Sequence, residues 1–208
     1  MHTAKLVEAY QKESQDRAEV FEQGSLVAIV VADGAGGTGG GAAAADYMVN
    51  RVGEAVGEEP NLLDSRFWCG LLTEADAGLN ADSQAGETTA VIAVCSSARI
   101  AGASVGDSGC WLLTSQTMYD LTERQQRKPL LGSGSATPTP FETPFTGGTL
   151  LVASDGLLKY TSMEKIRPFA IEGPLNDAVS GLVDLVRLRS GALQDEVAIV
   201  LCRKETAV

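Results

Sequence analysis

Hydrophobic residues along the chain form short runs separated by small polar turns, a pattern that predicts β-strands. The longest run, residues 26–32 (LVAIVVA), is rich in β-branched residues and predicts a strand that is covered on both faces. Residues 17–23 alternate with the period of a strand, and the Gly24-Ser25 turn between the two runs predicts a hairpin. Residues 4–12 fit either a strand or a short helix, and the pattern does not decide between them.

Helical spacing of the apolar residues follows this hairpin. It predicts a first helix from residue 41 to about residue 57, which the Pro60 segment ends. It also predicts a second helix over residues 62–80, with an apolar stripe formed by Leu63, Phe67, Leu71, Leu72, Ala75 and Leu79. The first 80 residues are therefore expected to contain a hairpin followed by two helices.

The rest of the chain returns to strands. The apolar runs predict five strands, at residues 88–95, 99–105, 109–114, 149–154 and 196–202. The first three are expected to form a consecutive antiparallel meander. Residues 123–147 are rich in Pro, Gly, Ser and Thr and predict a long loop. A helical region follows the predicted strand of residues 149–154 and continues through residue 189. No repeat or linker divides the sequence, so residues 1–208 are expected to form one domain.

Charge and composition narrow the class of protein. The net charge of -11 argues against nucleic acid as a partner, because phosphate backbones select Lys and Arg patches. No apolar run is long enough to span a bilayer, and the first residues lack the pattern of a secretory signal, so we expect a soluble cytoplasmic protein. The four cysteines show no C-x-x-C spacing and are expected to be buried free thiols.

Histidine is almost absent from the sequence. The only one is His2, close to the start of the chain. This excludes Ser-His-Asp and Cys-His catalysis and metal sites that depend on several histidines. Carboxylates are therefore the groups available for chemistry.

Four aspartates lie next to predicted strands. Asp33, Asp107 and Asp155 follow strands, and Asp195 comes just before the closing strand. If these strands share a sheet edge or two facing sheets, the four carboxylates converge and repel one another, which a divalent cation would reverse. Ligands that are all oxygen, without histidine or paired cysteine, favour Mg²⁺ or Mn²⁺ over zinc.

The sequence resembles the metal-dependent type 2C protein serine/threonine phosphatases. The likeness consists of short motifs that follow the family's order from end to end. They are Ser14-Gln15-Asp16-Arg17, Asp33-Gly34-Ala35-Gly36-Gly37, Gly86-Glu87-Thr88-Thr89-Ala90, Val105-Gly106-Asp107-Ser108, Ser154-Asp155-Gly156-Leu157 and Asp195-Glu196-Val197-Ala198. Each motif is weak alone, and the set is specific.

The resemblance implies an α+β fold, a four-layer α/β/β/α sandwich with two central antiparallel sheets flanked by helices. It implies hydrolysis of phosphoserine and phosphothreonine monoesters on proteins by a metal-activated water. The partners would be a phosphorylated protein and a Ser/Thr kinase or its targets, and we expect a monomer. The catalytic residues would be Asp16, Asp33, Asp155 and Asp195.

The resemblance also implies a role for each ligand of a site with two tightly bound cations, Mg²⁺ or Mn²⁺. Asp33 would bridge the two cations, and the Gly34 carbonyl would bind one of them. Asp155 and Asp195 would hold the other cation. Asp107 would help to bind a third, looser cation. Asp16 would lie behind the ligands and hydrogen-bond a water on the metal.

The sequence departs from the family pattern at several of these motifs. Ala35 stands where many members carry a histidine that is linked to protonation of the leaving group. Gln11 stands where some relatives place an arginine that grips phosphate, and Glu196 replaces a common asparagine. The choice of substrate is therefore not inherited from the family.

Two other functions compete with this interpretation. Gly34, Gly36 and Gly39 satisfy the G-x-G-x-x-G dinucleotide fingerprint, but the second parallel strand that a Rossmann unit needs is not predicted after the first helix. The second alternative is a catalytically weak or inactive member of the same fold that acts as a regulatory binding module. A pure scaffold has no need of the full set of aspartates.

Overall fold

Two antiparallel sheets of five strands each form the centre of the molecule. The computed structural model describes residues 1–10, 12–35 and 39–204. The ten strands in these residues are β1 (His2–Glu8), β2 (Arg17–Gln23), β3 (Leu26–Ala32), β4 (Ala90–Cys95), β5 (Arg99–Val105), β6 (Gly109–Leu113), β7 (Met118–Asp120), β8 (Thr139–Pro144), β9 (Thr149–Ala153) and β10 (Val197–Arg203).

Helices cover the outer face of each sheet. The five helices of the described residues are α1 (Gly41–Glu58), α2 (Ser65–Ala81), α3 (Asp155–Leu158), α4 (Met163–Ile171) and α5 (Leu175–Asp184). One sheet has the strand order β1-β10-β9-β6-β7, and the other has the order β2-β3-β4-β5-β8. No helix among the described residues is both long enough and apolar enough to cross a membrane.

Three hydrophobic cores separate the four layers. Alternate residues of β3 point to opposite faces of its sheet, as the strand period requires. Ala28 and Val30 pack against α1 and α2, whereas Ile29 and Val31 pack in the core between the two sheets. The third core lies between the other sheet and helices α3 to α5. The four-layer α/β/β/α sandwich is therefore confirmed, and it explains why β3 is apolar along its whole length.

Several element predictions are confirmed, with small shifts at their ends. The first segment is a strand, and the hairpin forms with the register that a two-residue turn imposes, which pairs Gln23 with Leu26 and Arg17 with Ala32. The second helix begins at Ser65, later than predicted. Its buried face includes Trp68, whereas Phe67 is only partly buried. All four cysteines are free, and three of them are buried.

The predicted consecutive meander is wrong at its third strand. β4 and β5 pair as expected, but β6 pairs with β7 and β9 in the opposite sheet. The free edge of β5 is taken by β8 instead. Cys110 and Leu112 of β6 face the core between the two sheets, so the strand buries its apolar residues from the other side.

The long loop predicted over residues 123–147 is wrong in its second part. Residues 139–144 form β8, in spite of Pro140 and Pro144. β8 is an edge strand, and edge strands tolerate proline because half of their backbone groups need no partner in the sheet. Phe141 is buried in the core between the sheets, and this apolar contact favours the strand.

Candidate active site

The ends of several strands converge on one cavity of about 320 Å³. Strand register explains how the chain brings its acids there. Because β2 begins at Arg17 and β3 ends at its partner Ala32, the residues just outside this pair, Asp16 and Asp33, lie at the same end of the sheet. The cavity is lined by Tyr10, Glu13, Gln15, Asp16, Asp33, Gly34, Ala35, Asp155, Asp195 and Glu196.

The backbone around Asp33 is held by the segment that precedes β4. The Asp33 carbonyl accepts hydrogen bonds from the Thr89 amide (2.9 Å) and the Thr88 hydroxyl (2.9 Å). The Asp33 amide donates to the Thr89 hydroxyl (3.0 Å), and Gly34 forms an isolated antiparallel bridge with Thr88. The Ala35 amide donates to the Glu87 carbonyl (2.8 Å). The Asp33-Gly34 turn is therefore fixed on the sheet of β3 and β4.

The other sheet contributes Asp155 and Asp195, which lie close together because β9 and β10 are neighbours. The Ser154 amide donates to the Ala198 carbonyl (3.0 Å), and the Ala198 amide donates to the Ser154 hydroxyl (2.9 Å). Gly156 allows the two segments to approach, since a Cβ at that position would overlap the Glu196 carbonyl oxygen. The start of α3 is therefore locked against the start of β10.

Glu196 is a further residue of the cavity, which the sequence indicated only as a departure from the family pattern. Its Oε2 atom accepts hydrogen bonds from the Ser14 hydroxyl (3.1 Å), the Gln15 amide and the Asp16 amide (3.1 Å). The partners are up to 182 residues apart in sequence, so no local pattern indicates the contact. Glu196 thus ties the Ser14 to Asp16 turn to the start of β10.

Asp16 and Asp33, the inner pair, are buried carboxyl groups that interact with each other inside the cavity. Burial raises the pKa of Asp16 to about 7, with a further rise from Glu196 and a partly offsetting hydrogen bond from Ser154. Burial, followed by the charges of Asp16, Asp155 and Asp107, raises the pKa of Asp33 to about 9. Burial also raises the pKa of Asp155, with repulsion from Asp107 and Asp195. Burial and neighbouring charge therefore favour the protonated forms of the inner pair, unless a cation takes the place of the protons.

Asp107 and Asp195, the outer pair, each have a basic partner. Arg127 Nη2 lies 2.8 Å from Asp107 Oδ2, and Lys159 Nζ lies 3.8 Å from Asp195 Oδ2. Asp107 does not line the cavity, but its charge acts on both Asp33 and Asp155. The two basic residues therefore neutralise the rim of the site and leave its centre uncompensated.

The chemistry of the donors fits a hard divalent cation. Every candidate ligand is an oxygen, which Mg²⁺ and Mn²⁺ prefer. Asp16 is 1% exposed, and its Oδ2 atom has no hydrogen-bond partner. A buried oxygen of this kind usually has a partner, and a group bound in the cavity would supply one. Within the described residues, no three His, Cys, Asp or Glu side chains already stand in a geometry that holds a metal ion.

The predicted site residues thus divide into two groups. Asp16, Asp33, Asp155, Asp195 and the Gly34 backbone line one cavity, and Asp107 lies beside it. Ala35 lines the same cavity and places no titratable group there. Gln11, Gly36 and Gly37 lie outside the described residues.

The dinucleotide hypothesis is wrong for this fold. A Rossmann unit requires a parallel strand after the first helix. Here α1 is followed by α2, and every strand pair among the described residues is antiparallel. Gly34 belongs to the turn that carries Asp33.

A sequence model of one family, described as protein phosphatase 2C, matches residues 8–131. The match covers more than half of the 208 residues. It includes Asp16, Asp33 and Asp107, whereas Asp155 and Asp195 lie beyond it. A comparison with curated protein sequences gives no match.

Solved structures of phosphatases share the fold. The serine/threonine phosphatase Stp1 from Staphylococcus aureus matches with a TM-score of 0.85 at 18% identity, over 98% of this chain and 95% of that one. The phosphatase PstP/Ppp from Mycobacterium tuberculosis matches with a TM-score of 0.79 at 20% identity, over 99% of both chains. The catalytic domain of PstP in complex with two manganese ions gives a TM-score of 0.76 at 20% identity, over 96% of both chains.

Proposed function

The chain belongs to the protein phosphatase 2C family, and we propose that residues 1–208 act as a single domain that hydrolyses phosphoserine and phosphothreonine monoesters on proteins. Members of this family are serine/threonine protein phosphatases, a class of hydrolase, so a phosphorylated protein is the kind of substrate that membership implies. The observation that carries the proposal is the cavity in which Asp16 and Asp33 meet Asp155 and Asp195 from the opposite sheet.

The proposed metal site is formed by the residues of both sheets. Asp33 would bridge two cations, the Gly34 carbonyl would bind one, and Asp155 and Asp195 would hold the other. Asp107 would contribute to a third, looser site. Bound Mg²⁺ or Mn²⁺ would activate water and neutralise the charge of the phosphate. The manganese pair carried by the PstP domain supports a count of two.

Asp16 and Glu196 are proposed to orient the attacking water. The buried Asp16 carboxylate faces the cavity, and its free Oδ2 atom can accept a hydrogen bond from that water. Glu196 keeps Asp16 in place through the Asp16 amide. The water oxygen forms a bond to phosphorus and gives up a proton to solvent as the bond to the Ser or Thr oxygen breaks, which releases inorganic phosphate. The leaving oxygen takes its proton from solvent, since Ala35 has none to give.

The cellular setting is part of the same proposal. Four free cysteines favour a reducing compartment, and we place the protein in the cytoplasm. It would act there as a monomer and in signalling, against the products of a Ser/Thr kinase. The alternative of an inactive regulatory module receives no support from the site, which retains every predicted aspartate.

The direct test is hydrolysis of a phosphothreonine peptide by the purified protein with Mn²⁺. We expect turnover that a chelator abolishes and that Mn²⁺ restores. Asp155→Asn should lose the activity, because it removes a ligand charge from the cavity. Asp177→Asn, an exposed aspartate on α5 that does not line the cavity, is the matched control and should retain it. The hydrolase proposal would be refuted if the wild type bound no Mn²⁺ and Asp155→Asn hydrolysed the peptide at the same rate as wild type.

A further inference from the structure

A buried carboxylate on α2 holds a loop of the chain. Asp76 is 5% exposed, and its Oδ1 atom accepts hydrogen bonds from the amides of Gly132 (2.8 Å) and Gly134 (3.0 Å). Its Oδ2 atom accepts a third from the Ala136 amide (3.0 Å). A carboxylate buried this far is costly unless it is hydrogen-bonded, so these three amides stabilise its charge.

The loop adopts a shape that fits around this charge. Gly132 and Gly134 have φ values of +98° and +73°, in the left-handed region that glycine adopts most readily. Successive amides in such a segment form a concave anion site. A Cβ on Gly132 would lie 2.6 Å from the Gly86 carbonyl oxygen, so the loop also packs closely on the segment that precedes β4. Asp76 and the two glycines therefore form one fitted unit.

This unit connects to Asp33 through two backbone bridges. Leu131, directly before Gly132, exchanges two hydrogen bonds with Thr88, each 3.0 Å long. Thr88 bridges in turn to Gly34, and its hydroxyl donates to the Asp33 carbonyl (2.9 Å). The path from Asp76 to the Asp33-Gly34 turn thus consists of contiguous hydrogen bonds and a buried leucine.

The same loop also touches the segment around Asp107. The Gly106 amide donates to the Gln126 carbonyl (3.2 Å), and the Gln125 side chain donates to the Ser108 carbonyl (2.6 Å). Arg127, the partner of Asp107, lies between these contacts and Leu131. Residues 125–136, which we name the anchored loop, therefore contact the Asp107 turn directly and the Asp33-Gly34 turn through Thr88.

We propose that Asp76 is a positioning residue for the metal site. By fastening the anchored loop, it fixes the direction of the Gly34 carbonyl and the place of Asp107, and so raises the affinity of the site for its cations. The inference rests on the proposed function for its metal and activity readouts. Its structural readout, the protection of backbone amides, is independent of catalysis.

The test compares Asp76→Asn with Asp64→Ala. Asp64 caps the N-terminus of the same helix through the Arg66 amide and does not contact the anchored loop, so its loss weakens α2 alone. We expect Asp76→Asn to weaken Mn²⁺ binding, measured by calorimetry, by roughly 3-fold to 10-fold, which is less than the range of about 10-fold to 100-fold for residues bonded directly to a metal ligand. Asp64→Ala should bind Mn²⁺ like wild type even though its unfolding temperature falls.

Amide hydrogen exchange provides the second readout. In Asp76→Asn, exchange at Gly132, Gly134, Ala136 and Thr88 should accelerate, whereas Asp64→Ala should leave these amides protected. Gly134→Ala disturbs the same contact from the loop side and should weaken Mn²⁺ binding in the same way, which covers the case in which Asp76→Asn does not fold. Equal Mn²⁺ affinity in these variants and in Asp64→Ala would overturn the proposal.

The outcomes separate the two proposals. A wild-type protein that binds Mn²⁺ but hydrolyses no phosphopeptide contradicts the proposed function and leaves the comparison of Mn²⁺ affinities decisive for Asp76. An active wild type whose Asp76→Asn variant matches Asp64→Ala contradicts the role of Asp76 alone. A wild type that binds no Mn²⁺ contradicts both.

Discussion

The same fold balances the charges of the inner and the outer pair of carboxylates in different ways. Asp107 and Asp195 lie at the rim, and each has a basic partner. Asp16 and Asp33 lie deeper, and the groups that raise their pKa include other carboxylates. Basic residues of the protein neutralise the outer pair, whereas under the proposed function a bound cation would neutralise the inner pair. The location of unbalanced charge, more than the number of acids, thus indicates where a metal is needed.

The largest expected effect comes from Asp33→Asn, which removes one charge from the inner pair. We expect phosphatase activity to fall by at least about 10²-fold, because the negative charge that binds the cations is lost. Without metal, the same variant should unfold at a higher temperature than wild type, since it avoids the cost of burying an ionisable carboxyl group and relieves repulsion from Asp16 and Asp155. Thermal unfolding with Mn²⁺ and with chelator measures both effects. If Asp33→Asn lowers the unfolding temperature in chelator, the inner pair is not in repulsion.

A smaller effect is expected from Glu196→Gln, which tests how the inner pair is held. The amide can accept some of the three hydrogen bonds from residues 14–16 but carries no charge. Asp16 should lose part of its orientation, and kcat should fall about tenfold, in the lower part of the range for groups behind a catalytic site. Glu58→Gln, an exposed position on α1, is the control. Steady-state kinetics on a phosphothreonine peptide would show unchanged kcat if Glu196 only fills space.

The stability of the metal-free protein should depend on pH in the direction set by the inner pair. Both pKa values are raised on folding, to about 7 for Asp16 and about 9 for Asp33, so the folded state binds more protons than the unfolded state. The contribution of the inner pair to stability is therefore fully present below the ordinary aspartate pKa. It is lost as pH rises through about 7 for Asp16 and about 9 for Asp33. Unfolding temperatures in chelator across this range measure the decline. Asp33→Asn should flatten the curve, and a wild-type curve that rises with pH would contradict the assignment.

The smallest effects are expected at the rim. Arg127→Ala and Lys159→Ala each remove a partner that is largely exposed, and exposed ion pairs contribute little to stability. Activity should stay within about threefold of wild type, and the change should shrink as salt is added. Kinetics at two ionic strengths provide the measurement. A loss comparable to that of Asp33→Asn would remove the distinction between inner and outer pairs.

Part of the site can be predicted from the sequence, because acidic residues at the ends of predicted strands indicate where a site can form. Asp33, Asp107, Asp155 and Asp195 each adjoin an apolar run, and those runs are strands in the structure. Asp16 was assigned only through the family resemblance. The hairpin pattern also locates it, since a two-residue turn fixes the register and brings residue 16 beside residue 33.

The remaining parts depend on contacts between distant segments. Glu196 and its partners lie at opposite ends of the described chain, so their pairing has no local signal. Asp76 does leave a trace, because it sits beside Ala75 and Leu79 on the buried face of α2, where an unpaired acid would be costly. The crossing of β6 to the other sheet and the formation of β8 were missed because both depend on which sheet edges are free.

The position of β10 between β1 and β9 has a consequence for how the protein is made. Ribosomes add about 5–20 residues per second, so Asp16 and Asp33 emerge well before Asp155 and Asp195. Until β10 has been synthesised, β1 has no neighbour in its sheet, and Glu196 is not there to hold the Asp16 turn. A nascent chain that lacks β10 thus carries only part of the proposed metal site. The proposed activity would therefore begin only after β10 has been translated and paired with β1 and β9.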